Sequence, residues 1–210
     1  MTPRLELDHL VYATPDLEAT IADLEALLGV RAAHGGRHQG RGTRNALIAL
    51  SELSYLEIVG PDETQTDVVR PRWLGVDELT VPRLVTWAAK CADIERVVDG
   101  AARDGVALGR VTSGSRQTTD GTTLRWQLTD PGAMLEGGVI PFLIDWGTTV
   151  HPAKAAPRGP ALLSLRAEHP EPTRVERAAL ALRLDLSVTR ASQPRLIARL
   201  RTQRGEVDLY

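Results

Sequence analysis

The sequence predicts an α+β protein. Two tandem βαβββ units form a curved mixed sheet around a cleft, and a partial third unit follows at the C-terminus. Three observations carry this reading. Short apolar runs with β-branched or aromatic residues recur along the chain, each stopped by Gly, Pro or Asp. A segment with helical spacing follows the first strand of each half. Landmarks repeat too: Ala92-Asp93-Ile94-Glu95 matches Pro15-Asp16-Leu17-Glu18 at an offset of 77, and Gly105-Val106 matches Gly29-Val30 at 76.

The elements follow in order. Leu5 to Ala13 is a partly alternating strand, broken by Thr14-Pro15-Asp16. Asp16 or Thr14 caps a helix, Pro15 suits its first turn, and Leu17, Ile21, Leu24, Leu27 and Leu28 form its apolar stripe up to Gly29. Arg31 to Gly42 is rich in Gly, Arg and His and reads as a strand and an open loop. Asn45 to Leu50 and Ser54 to Val59 are strands, the second stopped by Gly60-Pro61. In the second half, Arg83 to Ala89 is a strand, Ile94 to Ala101 a helix, and Thr123 to Thr129 a strand opened by Gly121-Thr122. Val139 to Trp146 is the last strand before Gly147. In the tail, Ala161 to Ala167 is a strand and Pro172 to Leu182 a helix. Leu184 to Thr189, Arg195 to Arg201 and Val207 to Tyr210 are short strands. The paired units thus span 5–155 (5–61 and 83–147), with 161–210 packed on the same domain. The polar connection 62–82 is long enough to cap the cleft, and 148–160 is a second linker with Pro152, Pro157 and Pro160.

Composition narrows the function. The 210 residues are 42% hydrophobic and 25% charged with net charge −2, an ordinary globular balance with no basic footprint for nucleic acid or membrane. The lone Cys91 excludes an intramolecular disulfide and a thiolate metal cluster, and it suits a reducing compartment. The N-terminus Met1-Thr2-Pro3-Arg4-Leu5-Glu6 has no apolar leader, and the longest apolar runs, such as Val139 to Ile144, are far too short for a membrane span. A cytoplasmic protein is expected.

Several short motifs, taken together, resemble the glyoxalase-like branch of the vicinal oxygen chelate superfamily. They are Asp8-His9-Leu10-Val11-Tyr12, Gly42-Thr43-Arg44-Asn45-Ala46-Leu47, Tyr55-Leu56-Glu57, and Pro141 to Gly147 followed by His151-Pro152. The resemblance covers about residues 5 to 155. It implies paired βαβββ modules around a divalent metal (Zn, Fe, Mn or Ni) and lyase, isomerase or dioxygenase chemistry on a small molecule with vicinal oxygens. Metal-free members that sequester small molecules in the same cleft are the alternative it leaves open. A homodimer is also common in such folds.

The resemblance places metal ligands on the first and fourth strands of a module, here His9 and Glu57, with Glu57 also a candidate base. The second half offers only Thr86 and Ile144 at the corresponding positions, so His38, Asp145 or His151 has to supply a third ligand; His38 is the choice. The same residues also fit plain structural roles, His9 paired with Asp8 and Glu57 with one of the arginines. Alternation in Thr123 to Thr129 sends the apolar set toward the helix and Thr123, Arg125, Gln127 and Thr129 toward the cleft. Arg125 and Gln127 then contact substrate. Asn45 and Thr43 contact a ligand or fix a turn, and Trp146 and Phe142 line a ligand wall. Trp87 and Trp126 read as core, and Cys91 as structural.

Overall fold

The computed structural model describes residues 4–68, 70–117 and 121–210. Val69 of the long connection and the first three residues lie outside these. The first unit runs β1 (Glu6–Ala13), α1 (Leu17–Leu28), β2 (Ala33–His38), β3 (Thr43–Ser51) and β4 (Ser54–Pro61). The second runs β5 (Arg83–Lys90), α2 (Ile94–Arg103), β6 (Val111–Gln117), β7 (Thr123–Thr129) and β8 (Phe142–Asp145). Their strands join in one eight-stranded sheet in the order β2-β3-β4-β1-β5-β8-β7-β6. Each unit pairs its first and last strands in parallel, and β1 meets β5 antiparallel, welding the halves. The sheet curls until its edge strands β2 and β6 approach one another, which encloses a hollow.

Local chemistry explains the elements. Asp16 caps α1 by accepting from Ala19 N at 3.1 Å, and Gly29 ends it at φ 78° with its N–H on Glu25 O. Thr14 does not cap; its hydroxyl donates to Asp16 O and meets the Thr20 hydroxyl at 2.7 Å. The apolar stripe of α1 (Leu17, Ile21, Leu24 and Leu28) is buried in the main core on the convex side of the sheet, with Leu10, Ile48, Leu56 and Ile58. A second apolar cluster lines the hollow, including Val11, Val59, Phe142, Ile144 and Leu128.

Three expectations change. The strand Val111–Gln117 had no distinct apolar signal and appears as the sheet's edge. The expected strand from Val139 contracts to Phe142–Asp145, because Gly137 and Gly138 adopt left-handed φ in a 3-10 turn and Pro141 has no N–H to donate. The tail holds all five elements of a module: β9 (Ala161–His169), α3 (Pro172–Ala181), β10 (Ser187–Arg190), β11 (Arg195–Thr202) and β12 (Gly205–Leu209). They form a separate four-stranded sheet, β10-β9-β11-β12, in which the first strand sits inside rather than beside the last. Its apolar face, with Leu196, Ala198 and Leu200, joins the main core. No helix among the described residues is long and apolar enough to cross a membrane.

Gly138 tests this account. Its φ is 88°, and a Cβ there would collide with the carbonyl oxygen of Val85 on β5. Gly138→Ala is expected to destabilise by more than about 2 kcal/mol in denaturant titration. Gly40→Ala, at φ 70° in open space, is expected to cost only about 1 kcal/mol.

Candidate functional site

Side chains of the concave face converge on a small cavity in the hollow. The parallel register pairs His9 with Tyr55 and Val11 with Glu57, and β3 sets Leu47 opposite Glu57. These alternate residues share the inner face. The register between β1 and β5 shifts between Leu7 and His9, leaving Asp8 as an inserted residue. Such a bulge re-aims side chains. Here it brings the Asp8 carboxylate onto its neighbour, with Oδ1 2.8 Å from His9 Nδ1.

The cavity has a volume of about 30 Å³, room for one or two waters. His9, His38, Asn45, Glu57 and Arg116 form its polar wall. Tyr55, Trp73, Leu74, Trp126, Leu128, Phe142, Ile144 and Trp146 form most of the rest. Tyr55 stacks on His9 with centroids 4.6 Å apart, and Phe142 meets the same imidazole edge-on at 5.5 Å.

Glu57 is the centre of the polar wall and is 7% exposed. Its Oε2 lies 3.6 Å from His9 Nε2, its Oε1 lies 3.4 Å from His38 Nε2, and Oε1 accepts from the Asn45 amide. Arg116 Nη1 donates to Asn45 Oδ1 at 2.9 Å. Arginine has only donors, so this bond orients the amide: the Asn45 nitrogen must face Glu57 and, at 3.3 Å, His38 Nε2. His38 Nε2 is within reach of both the Asn45 amide and Glu57 Oε1, and its Nδ1 meets Thr43 Oγ1 at 2.9 Å. Burial alone would raise the Glu57 carboxyl. The His38 and His9 imidazoles and the Asn45 amide outweigh it and hold the group at about 2.

Asp8 is the second buried carboxylate, with no exposed surface. Besides His9, it receives the Trp146 indole N–H at 3.0 Å and faces His151 Nε2 at 3.1 Å, both through Oδ2. Burial opposes its charge, and the bonds to His151 and His9 prevail, lowering it to about 2. An ionised Asp8 only accepts, so His9 carries a proton on Nδ1.

The structure thus brings together His9, His38, Asn45, Glu57 and Trp146. It sets other candidates elsewhere. Arg125 and Gln127 are exposed on the opposite face of β7. Trp126 and Leu128 face the hollow instead, because Leu128 pairs with inward Ile144 and Gln127 with Asp145. Alternation defines two faces without saying which is inside, and the apolar one is inside here. Asp145 turns outward, accepting from the backbone N–H groups of Asp93 and Gly147. His151 stands behind Asp8, outside the cavity. Burial and the nearby carboxylates of Asp145 and Asp8 push the Cys91 thiol up to about 12, so it stays protonated. Sequence reasoning missed Arg116, Tyr55, Trp73 and Leu74. Arg116 belongs to the unrecognised edge strand; Trp73 and Leu74 sit in the long connection.

Among the described residues, no group of three or more His, Cys, Asp or Glu side chains is disposed to hold a metal ion. The hydrogen bonds show why. The Asn45 amide occupies both His38 Nε2 and Glu57 Oε1, leaving His9 Nε2 and Glu57 Oε2 as donors where a closed catalytic site uses three. In this arrangement the Asn45 amide has to turn away before His9, His38 and Glu57 can together hold the divalent metal that the resemblance implied.

The model of the glyoxalase-like domain matches residues 7–182. No curated protein matches the sequence. A solved hypothetical protein from Staphylococcus aureus shares the fold, with a TM-score of 0.68 at 15% identity, covering 91% of this chain and 88% of that one. Methylmalonyl-CoA epimerase from Streptomyces coelicolor, in complex with 2-nitronate-propionyl-CoA, aligns at TM-score 0.48 and 22% identity over 71% of this chain and 100% of that one. The Mycobacterium tuberculosis epimerase aligns at 0.45 and 20% over 67% and 87%. With the family model spanning most of the chain and the paired βαβββ sheet in place, the protein belongs to the glyoxalase-like domain family of the vicinal oxygen chelate superfamily.

Proposed function

We propose that the chain is an isomerase- or lyase-type enzyme that moves a proton on a small molecule with adjacent oxygens, in the His9–Glu57 cavity. One observation carries the reading. An imidazole oriented by a buried carboxylate presents its free nitrogen to a second ionised carboxylate inside a largely apolar hollow. A folded chain gains little stability from this arrangement, since each buried charge has to be compensated. For proton transfer it is well suited.

The roles follow from the electrostatics. Glu57, held near 2, is too weak a base for neutral pH, where an efficient base has a pKa near the operating pH. His9 takes that role. Its Nδ1–H is fixed on Asp8, so the Nε2 lone pair is the acceptor for a proton on the carbon beside a carbonyl. The electron pair of the broken C–H bond moves onto the carbonyl oxygen as an enediolate, and the proton now on His9 Nε2 faces Glu57. Return of that proton to the neighbouring carbon, with the hydroxyl proton passing to the former carbonyl oxygen, completes an isomerisation; its return to the same carbon after exchange with solvent gives hydrogen exchange alone. Asn45, braced by Arg116, keeps Glu57 ionised and in place. The alternative, a metal-free module that sequesters a small ligand, predicts binding without exchange.

Wild-type protein in deuterium oxide is expected to exchange the α-hydrogen of one or more of a set of small 2-oxo and 2-hydroxycarbonyl compounds, followed by proton NMR. His9→Gln should lower the exchange by at least about 100-fold, with Glu57→Gln close behind. Binding with no exchange above buffer across the set would leave the sequestering reading standing instead. Elemental analysis of protein purified without chelator should find well under one metal per chain. Stoichiometric metal that disappears in His9→Ala and Glu57→Ala would restore a metal-dependent enzyme.

The carboxylates also set the acid limit. Glu57 moves from 4.5 to about 2, and Asp8 from 3.8 to about 2. A depressed folded-state value contributes stability above the unfolded value and loses it as pH falls toward the folded one. The melting temperature should hold above about pH 5 and fall between 4.5 and 2. Glu57→Gln should remove a share of that slope on the order of 3 kcal/mol.

A further inference from the structure

The long connection closes over the cavity through a 3-10 turn, Trp73–Glu78. Among the described residues, two buried side-chain atoms lack a hydrogen-bond partner, Arg72 Nε and Trp73 Nε1, and they are adjacent in sequence. The Arg72 guanidinium is otherwise held, with Nη1 on Asp77 at 2.7 Å and Nη2 on Glu63 at 2.6 Å. Trp73 has no such compensation. Trp87 and Trp146, by contrast, donate to Val139 O at 2.8 Å and to Asp8 at 3.0 Å. A buried donor without an acceptor is unfavourable and is uncommon in native interiors.

Its position suggests what the donor is for. Trp73 lines the cavity and meets His38 edge-on at 5.2 Å, and the Arg41 guanidinium lies 5.4 Å from its ring centroid. On the other side of Trp73 and Leu74 lies a groove of about 1080 Å³, lined by these same two residues. They form the partition between that groove and a cavity of about 30 Å³, which is too small for a carbonyl substrate. Leu74 holds a left-handed φ of 62°, a conformation disfavoured for a residue with a side chain.

We infer that Trp73 is the gate of the His9 cavity and that its indole N–H is the donor a bound substrate oxygen satisfies. The inference rests on the proton-transfer reading above. Displacing Trp73 joins the cavity to the groove and lets a small oxygen-bearing compound in. Trp73 then rests against the seated compound, short of its position in the free protein, and sets an uncharged donor beside the oxygen on which charge develops, in a site cleared of water.

Oxalate, two adjacent carboxylates in the shape of an enediolate, is the probe. The chain has four tryptophans, and the Trp73 indole signal in a ¹H–¹⁵N spectrum is identified by its loss in Trp73→Phe. On adding oxalate to the wild type, that signal should move downfield and its hydrogen exchange should slow. Trp73→Phe should weaken oxalate binding by about tenfold with only a small drop in melting temperature, since packing but no hydrogen bond of the free protein is lost. Trp87→Phe, which breaks the bond to Val139, should lower it more. If oxalate moves the Trp146 signal and leaves Trp73 unmoved, or if Trp73→Phe binds oxalate as tightly as wild type, the gate is refuted and the His9 assignment survives. If saturating oxalate moves no indole signal at all, both fall together.

Discussion

The buried charge of Asp8 and Glu57 is the constraint to which the rest of the hollow answers. An isolated carboxylate cannot be moved from water into an apolar interior without reclaiming a proton. Both remain ionised here because each is surrounded by donors drawn from distant parts of the chain. Asp8 draws on its neighbour His9, on Trp146 at the end of the second unit and on His151 beyond it. Glu57 draws on Asn45 and faces two imidazoles. The two clusters meet at His9, whose nitrogens face one carboxylate each. The imidazole is therefore the link between them.

The same network closes the sheet. Arg116 comes from β6 at one edge and Asn45 from β3 near the other, so their hydrogen bond spans the mouth of the hollow. Gly35 makes this approach feasible. A Cβ there would collide with the Arg116 guanidinium and the Asn45 oxygen, and the register of β2 on β3 shifts at that residue. A glycine inside a strand commonly marks a bulge or a close approach by another group, and here it marks both. Curvature, closure and the orientation of the Asn45 amide are thus one event. The sheet cannot flatten without releasing the donor that holds Glu57.

Much of this was legible in the residue pattern, and the limits have physical causes. The doubled landmarks exposed the two units, and the strand motifs around His9 and Glu57 pointed to the correct inner face. The pairing of Asp8 with His9 was read as a structural option, although the bulge that aims Asp8 there leaves no signature in the residue pattern. Period-two alternation then failed at two places. In β7 it selected Arg125 and Gln127 over Trp126 and Leu128. The first half supplies the polar wall of the hollow except for Arg116, and the rest of the second half's lining is apolar, so the usual polar-inward guess for a ligand cleft was inverted there. In Val111–Gln117 the polar edge strand had no apolar stripe to betray it, and Arg116 went with it. The tail's sheet, with its first strand inside, depends on pairing between segments far apart in sequence, which local composition does not encode.

The asymmetry of the two halves bears on the chemistry itself. A doubled module invites a site built symmetrically, with a ligand from the first and last strands of each copy. This chain keeps His9 and Glu57 in one copy, while Thr86 and the wall of Phe142, Ile144, Trp126 and Leu128 stand in the other. An apolar wall opposite a buried carboxylate and its imidazole lowers the local dielectric, so the dipoles and charges that remain act more strongly on whatever enters. It also withholds the solvent that would otherwise compete for a proton on His9. Loss of polar groups from the second half therefore does not by itself reduce the site to a passive pocket. In the reaction proposed above it concentrates the proton chemistry on one imidazole and leaves recognition to shape, and to donors such as the Trp73 indole that find no acceptor among the described residues.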